Sequence, residues 1–82
     1  MADTKYRAAV IGCGARGQKH AAAYDDIDEA DLVACCDLAP DRREPMAEQF
    51  GIKAYAYAAG MIRSEKPDIV HIVTPPTARV DL

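Results

Sequence analysis

Val10-Ile11-Gly12-Cys13-Gly14-Ala15-Arg16-Gly17 decides the fold of this chain: an apolar run breaks into three glycines at the spacing G-x-G-x-x-G. The spacing alone is a weak signal, since five glycines occur in the 82 residues. Its setting makes it strong. Arg7 to Ile11 reads as a short buried parallel strand. Ala15 to about Ile27 reads as a helix with Ala21, Ala22, Tyr24 and Ile27 turned inward. Asp37 then ends the next apolar run, 20 residues beyond Gly17. A strand, a glycine loop, a helix and a carboxylate at that distance imply a dinucleotide-binding unit. Gly12 permits the tight turn, Gly14 lets backbone approach a pyrophosphate, and Gly17 lets the helix pack closely on the strand. The amides of Ala15 and Arg16 fall at the helix N-terminus, where the dipole favours an anion. Asp37 can accept hydrogen bonds from both ribose hydroxyls of an adenosine, which favours NAD. Arg42 or Arg43, folding back, would instead accommodate the 2′-phosphate of NADP; the equal alternative is that both are exposed helix residues.

Outward from this loop the pattern repeats. Ala30 to Asp37 predicts a second strand, with Cys35 and Cys36 on opposite faces. Pro40 suits the first turn of a helix running to Phe50, and Gly51 suits its C-terminal cap. Pro45, about one turn in, should bend that helix or delay its start. Ile52 to Tyr57 has strand character with Tyr55 and Tyr57 on one face, Ala58 to Lys66 is a short helix, and Asp68 to Thr74 is a strand. The order predicts an α/β fold, a Rossmann-like doubly wound parallel sheet with right-handed crossovers. It is incomplete, with four strands where such a fold uses about six. Thr74-Pro75-Pro76 follows the carboxyl end of the last strand, and reads equally as a ligand-facing loop or a strand terminator. His20 and His71 are expected to be packed, hydrogen-bonded residues, and Cys13 a small filler.

Composition narrows the partners. Domains cluster near ~100–150 residues, so 82 residues make at most one small domain. Of 41 hydrophobic residues 16 are alanine, and Val, Ile, Leu and Phe together number 15, so the core is poor in large side chains. Ten basic against thirteen acidic residues give no electrostatic footprint for nucleic acid. No apolar run approaches the ~18 residues of a membrane span, and Met1-Ala2-Asp3-Thr4-Lys5 carries no signal-peptide core. The three cysteines lack zinc-ligand spacing. Free thiols without an export signal imply a cytoplasmic location.

Three blocks together resemble the start of the Gfo/Idh/MocA oxidoreductases: Val10 to His20, Cys36-Asp37-Leu38, and Lys66 to Pro76. The resemblance implies that residues 1–82 are part of an NAD(P)-binding Rossmann domain, with the C-terminal substrate and catalytic domain absent from this chain. It implies hydride transfer between a nicotinamide and a CH–OH carbon of a sugar, inositol or related polyol. Gly12, Gly14, Ala15, Arg16 and Gly17 would hold the pyrophosphate, Asp37 and Leu38 the adenosine ribose, and Thr74, Pro75 and Pro76 would lie along the nicotinamide half. The cofactor is expected to be NAD, with NADP as the alternative. The family's catalytic lysine sits in a Glu-Lys-Pro motif after a fifth strand, and its histidine in the second domain. Glu65-Lys66-Pro67 stands before a strand instead, so no catalytic role is assigned to it. The longer form is expected to be a homo-oligomer, and the 82-residue chain inactive alone and prone to self-association. The alternatives are a stand-alone dinucleotide-binding or regulatory module, or a fragment without function.

Overall fold

A computed structural model describes residues 5–73. Four parallel strands lie in the order β3-β2-β1-β4. They are β1 (Tyr6–Ile11), β2 (Ala30–Cys36), β3 (Lys53–Tyr55) and β4 (Ile69–Ile72), joined by α1 (Ala15–Ala23), α2 (Pro40–Phe50) and α3 (Ala58–Glu65). This is the expected Rossmann-like sheet. The last strand lies on the far side of β1, so the chain reverses direction across the sheet there, which creates the crevice where such folds bind ligands.

Two thin apolar layers hold the sheet. Val10, Cys13, Ala21, Cys35 and Met46 cluster on the face covered by α1 and α2. Ala9, Ile11, Ala34, Cys36 and Met61 cluster on the face covered by α3. Cys35 and Cys36 thus take opposite faces. Between Ala8 and Ala9 the β1–β2 register slips, with Ala8 opposite Leu32 and Ala9 opposite Ala34. Val33 is the extra residue of this bulge, and it packs on the same side as Ala34. The fully buried side chains are small, with only Met46 and Met61 of any length.

Several local expectations need correction. The first helix stops at Ala23 and tightens into a 3-10 turn over Tyr24–Asp26. Ala21 is buried and Tyr24 half-buried, but Ala22 is exposed, one residue round the helix from Ala21, and Ile27 is exposed because it falls beyond the tightened turn. The second helix begins at Pro40 despite Pro45, so its start is not delayed. Pro45 lies on the exposed side and forfeits one ladder bond, while buried Met46 anchors the same turn. Gly51 caps this helix with φ +65°, as its position predicted. Tyr57 falls outside β3 and precedes α3, exposed, whereas Tyr55 is half-buried.

The amino ends of the strands are tied by one buried carboxylate. Glu65 accepts from Arg7 Nη2 at 2.8 Å and from the Tyr55 hydroxyl, with Lys53 Nζ at 4.0 Å. Arg7 Nε also donates to the Glu65 carbonyl at 2.9 Å, closing the end of α3. Lys66 follows in the left-handed region, φ +49°, exposed at this same end of the sheet.

His71 is a packed residue, as expected, whereas His20 is exposed rather than packed. The Nε2 of His71 lies 2.7 Å from the Tyr24 hydroxyl, and its ring is 5.1 Å from that of His20. Burial, and then the neighbouring His20, hold its pKa below the ordinary histidine value. The unfolded chain therefore binds the proton first as pH falls. Stability is complete above the ordinary histidine range near ~6.5 and declines as pH drops through it. The decline levels off below the folded-state value. Denaturant titrations across this range should show that slope in the wild type and a reduced one in His71→Asn. Equal slopes would overturn the assignment.

Candidate functional site

The carboxyl ends of β1 and β2 meet the head of α1. After Ile11 the chain must leave the strand and turn into a helix within three residues. Gly12 turns with φ +107°, where a side chain would be strained, and its amide donates to the Cys36 carbonyl at 2.8 Å. Gly17 faces back onto this turn. A Cβ there would stand 1.8 Å from the Gly12 carbonyl oxygen, so only glycine lets α1 lie this close. Gly14 precedes α1, and a Cβ built on it would meet nothing within 4 Å. The three glycines therefore split into two that shape the loop and one that leaves open space.

That open space faces donors. No side chain caps α1, and its first turn carries no acidic residue. Gln18 N–H donates to the Gly14 carbonyl at 3.0 Å, but no acceptor among the described residues meets the amides of Ala15, Arg16 or Gly17. First-turn amides of a helix need an outside acceptor, and the helix dipole adds a preference for an anion. Ala15 and Arg16 are exposed, and Gly17 is buried by its packing role.

Asp37 stands across the loop from these amides. Its Oδ2 accepts the Cys13 amide and its Oδ1 accepts the Ala39 amide, each at 2.9 Å. An ionised carboxylate offers about four acceptor positions, so two remain for a ligand. The sequence marked Asp37 as a ribose acceptor but missed this grip on the glycine loop. The Ala39 bond was legible in principle, because an aspartate bonding the amide two residues on is a common turn before a helix. Leu38 is 73% exposed beside it. Arg43 folds back as one of the two expected arginines. Its Nη1 donates to the carbonyls of Asp37 and Leu38, both at 3.2 Å, and its Nε lies 3.5 Å from Glu44 Oε2. Arg42 is exposed and has no polar side-chain partner among the described residues.

Cys13 packs inside the loop, 1% exposed, with its thiol 3.5 Å from the Cys36 carbonyl. Contact with Cys35 and burial push the Cys13 thiol up, and burial pushes Cys36 up to about 11. Neutral, enclosed thiols fill space. Val73 N–H reaches the Ile11 carbonyl at 2.8 Å, so β4 ends beside the glycine loop. Thr74, Pro75 and Pro76 lie outside the described residues. Lys66 stands at the opposite end of the sheet from the loop. Among the described residues no three His, Cys, Asp or Glu side chains converge as a metal site, and no helix is long and apolar enough to cross a membrane.

Residues 6–82 match the profile of an oxidoreductase family with an NAD-binding Rossmann fold, GFO_IDH_MocA. A D-apiose dehydrogenase of Paraburkholderia graminis is 39% identical over 71 residues, 85% of this chain and 19% of that protein. The WlbA dehydrogenase of Chromobacterium violaceum, solved with NADH and UDP-GlcNAcA, superposes with a TM-score of 0.83 at 32% identity, covering 92% of this chain and 22% of that one. The myo-inositol 2-dehydrogenase of Lactobacillus plantarum gives 0.79 at 34% identity, covering 88% and 22%. The chain thus spans about a fifth of the length of these relatives. Fold, loop and matched length agree, and the chain belongs to the Gfo/Idh/MocA oxidoreductase family, in its NAD-binding Rossmann part.

Proposed function

We propose that residues 1–82 are the cofactor-binding part of a longer NAD-dependent dehydrogenase acting on a CH–OH carbon of a sugar, inositol or related polyol. The observation that carries this reading is the open space at Gly14, between a Cys13 amide held by the Asp37 carboxylate and first-turn amides of α1 that meet no acceptor among the described residues. In it, the backbone of Gly12, Gly14, Ala15, Arg16 and Gly17 holds the pyrophosphate. Asp37 takes the adenosine ribose in its remaining acceptor positions, with Leu38 against the same nucleoside. Thr74, Pro75 and Pro76 border the nicotinamide half. The bound cofactor supplies the carbon that accepts hydride. The acid/base group for the substrate hydroxyl comes from outside residues 1–82, since Lys66 is at the wrong end of the sheet. The substrate class rests on the sugar and inositol dehydrogenases to which the chain is similar.

Two substitutions separate loop folding from loop function. Gly17→Ala should lower the thermal midpoint, because its Cβ meets backbone that cannot yield cheaply. Gly14→Ala should leave the midpoint near wild type yet weaken NAD by about tenfold or more, a cost of ~1.4 kcal/mol. Thermal denaturation with NAD titration reads both. A Gly14→Ala chain that binds NAD like wild type would remove the loop from the site.

Cofactor choice rests on Asp37. A carboxylate accepts from a free 2′-hydroxyl, in a bond worth roughly 1.5–3 kcal/mol, and repels a 2′-phosphate. NAD should therefore bind about tenfold or more tighter than NADP, with exposed Arg42 the side chain free to moderate the difference. Asp37→Ser should shrink that preference, and should also weaken NAD itself by loosening the loop. Titrating both cofactors against both chains checks this, and an unchanged preference in the variant would discard the role.

A further inference from the structure

Among the described residues, Arg43 is the basic side chain that the fold draws against Asp37 and Leu38. It sits in the first turns of α2, the end of a helix that disfavours a cation. Two backbone carbonyls and one carboxylate offset that position. Nη1 bridges the carbonyls of Asp37 and Leu38 at 3.2 Å each, and Nε faces Glu44 at 3.5 Å. Only 19% of the side chain is exposed. Its backbone is engaged as well, for its amide donates to the Ala39 carbonyl at 3.1 Å and its carbonyl accepts the Cys35 thiol at 3.8 Å. The guanidinium is therefore committed to backbone that carries the two ribose-facing residues.

We infer that Arg43 is a positioning residue for the adenosine half of the cofactor: by gripping the carbonyls of Asp37 and Leu38 it fixes the direction of the Asp37 carboxylate, and it does not serve as the receptor for a 2′-phosphate. Without the bridge, the carbonyls of Asp37 and Leu38 lose this side-chain donor, and the turn is held by the Asp37 side-chain bonds, the Asp37 amide bond to the Tyr55 carbonyl and the Arg42 and Arg43 amide bonds to the Ala39 carbonyl, each backbone bond at 3.1 Å. The carboxylate then samples directions that miss the ribose. Binding loses the share of affinity that depends on a preset acceptor. A flexible lysine keeps the charge but lacks the planar fork that spans two carbonyls, so it restores the bridge only in part.

This inference rests on the proposed cofactor site, and the experiment separates the two. Wild type, Arg43→Met and Arg43→Lys are titrated with NAD, NADP, AMP and nicotinamide mononucleotide, with the thermal midpoint measured alongside. Met keeps the aliphatic stem and its packing. Arg43→Met should weaken NAD and AMP by about tenfold, the loss expected for one charge-assisted contact. Nicotinamide mononucleotide, which lacks the adenosine half, should bind as before, and Arg43→Lys should fall between. The ratio of NAD to NADP affinity should fall rather than rise, since a loosened Asp37 carboxylate both holds the free 2′-hydroxyl less and repels a 2′-phosphate less. Selective loss of NADP would make Arg43 the phosphate receptor and overturn the inference. Parallel loss of nicotinamide mononucleotide would reduce it to general support of the fold, and unchanged AMP binding would also overturn it. A wild type that binds neither NAD nor AMP would sink the site and the inference together, whereas failure in the variants alone sinks only the inference.

Discussion

The hydrogen bond from the Cys13 amide to the Asp37 carboxylate, at 2.9 Å, joins the two loops on which the rest of the site depends. Each loop follows a different strand, and this side chain reaches from one to the other beside the Gly12 amide bond and the Cys13 thiol contact to the Cys36 carbonyl. The same carboxylate stops the Ala39 amide from going unpaired at the start of α2. A charge placed between two amide donors strengthens both bonds. The glycine loop, the head of the second helix and the anionic corner of the crevice are therefore set by a single side chain. Its cost is an anion close to where a pyrophosphate would lie. The free amides of α1 and the guanidinium of Arg43 on the far side of the turn offset that charge.

Small residues make this geometry possible. Ala8, Ala9, Ala34 and the cysteines let strands and helices approach until backbone nearly touches backbone, as at Gly17 and Gly12. The trade is apolar area, since alanine buries little. The chain recovers part of it through methionines, one on each face, whose flexible stems fill uneven gaps. The remainder comes from polar bracing at the far end of the sheet. Arg7, Tyr55 and Glu65 form a closed set there, and a buried carboxylate with three neighbours resists rearrangement because losing one leaves a charge unpaired. Rigidity at the amino ends and open backbone at the carboxyl ends divide structure from binding.

Much of this was written in the residues. The alternation of strands and helices along the chain, the start of the second helix at Pro40 and its cap at Gly51 follow from periodicity and from punctuation by glycine and proline. The glycine loop and Asp37 were legible because strand, turn, helix and carboxylate each demand particular residue types at particular spacing. The misses share one physical origin: they depend on tertiary partners. Glu65 looked like part of a motif until the fold brought Arg7, distant in sequence, against it. Arg43 looked exposed or ligand-seeking, and the nearest acceptors turned out to be carbonyls of its own chain. The break after Ala23 is invisible to a helical pattern, because Tyr24 is met by His71, distant in sequence, on the face that α1 covers.

The enclosed cysteines give the molecule a built-in clock. Cys13 and Cys35 lie under α1 and α2, and Cys36 lies under α3, all beyond the reach of solvent. An alkylating reagent attacks a thiolate, so each can react only when its own layer opens. When alkylation outpaces reclosing, the rate at each position is the rate of that opening rather than the reactivity of sulfur. Because Cys13 belongs to the glycine loop itself, its labelling would time the opening of the ligand crevice, while Cys36 keeps time for the opposite face.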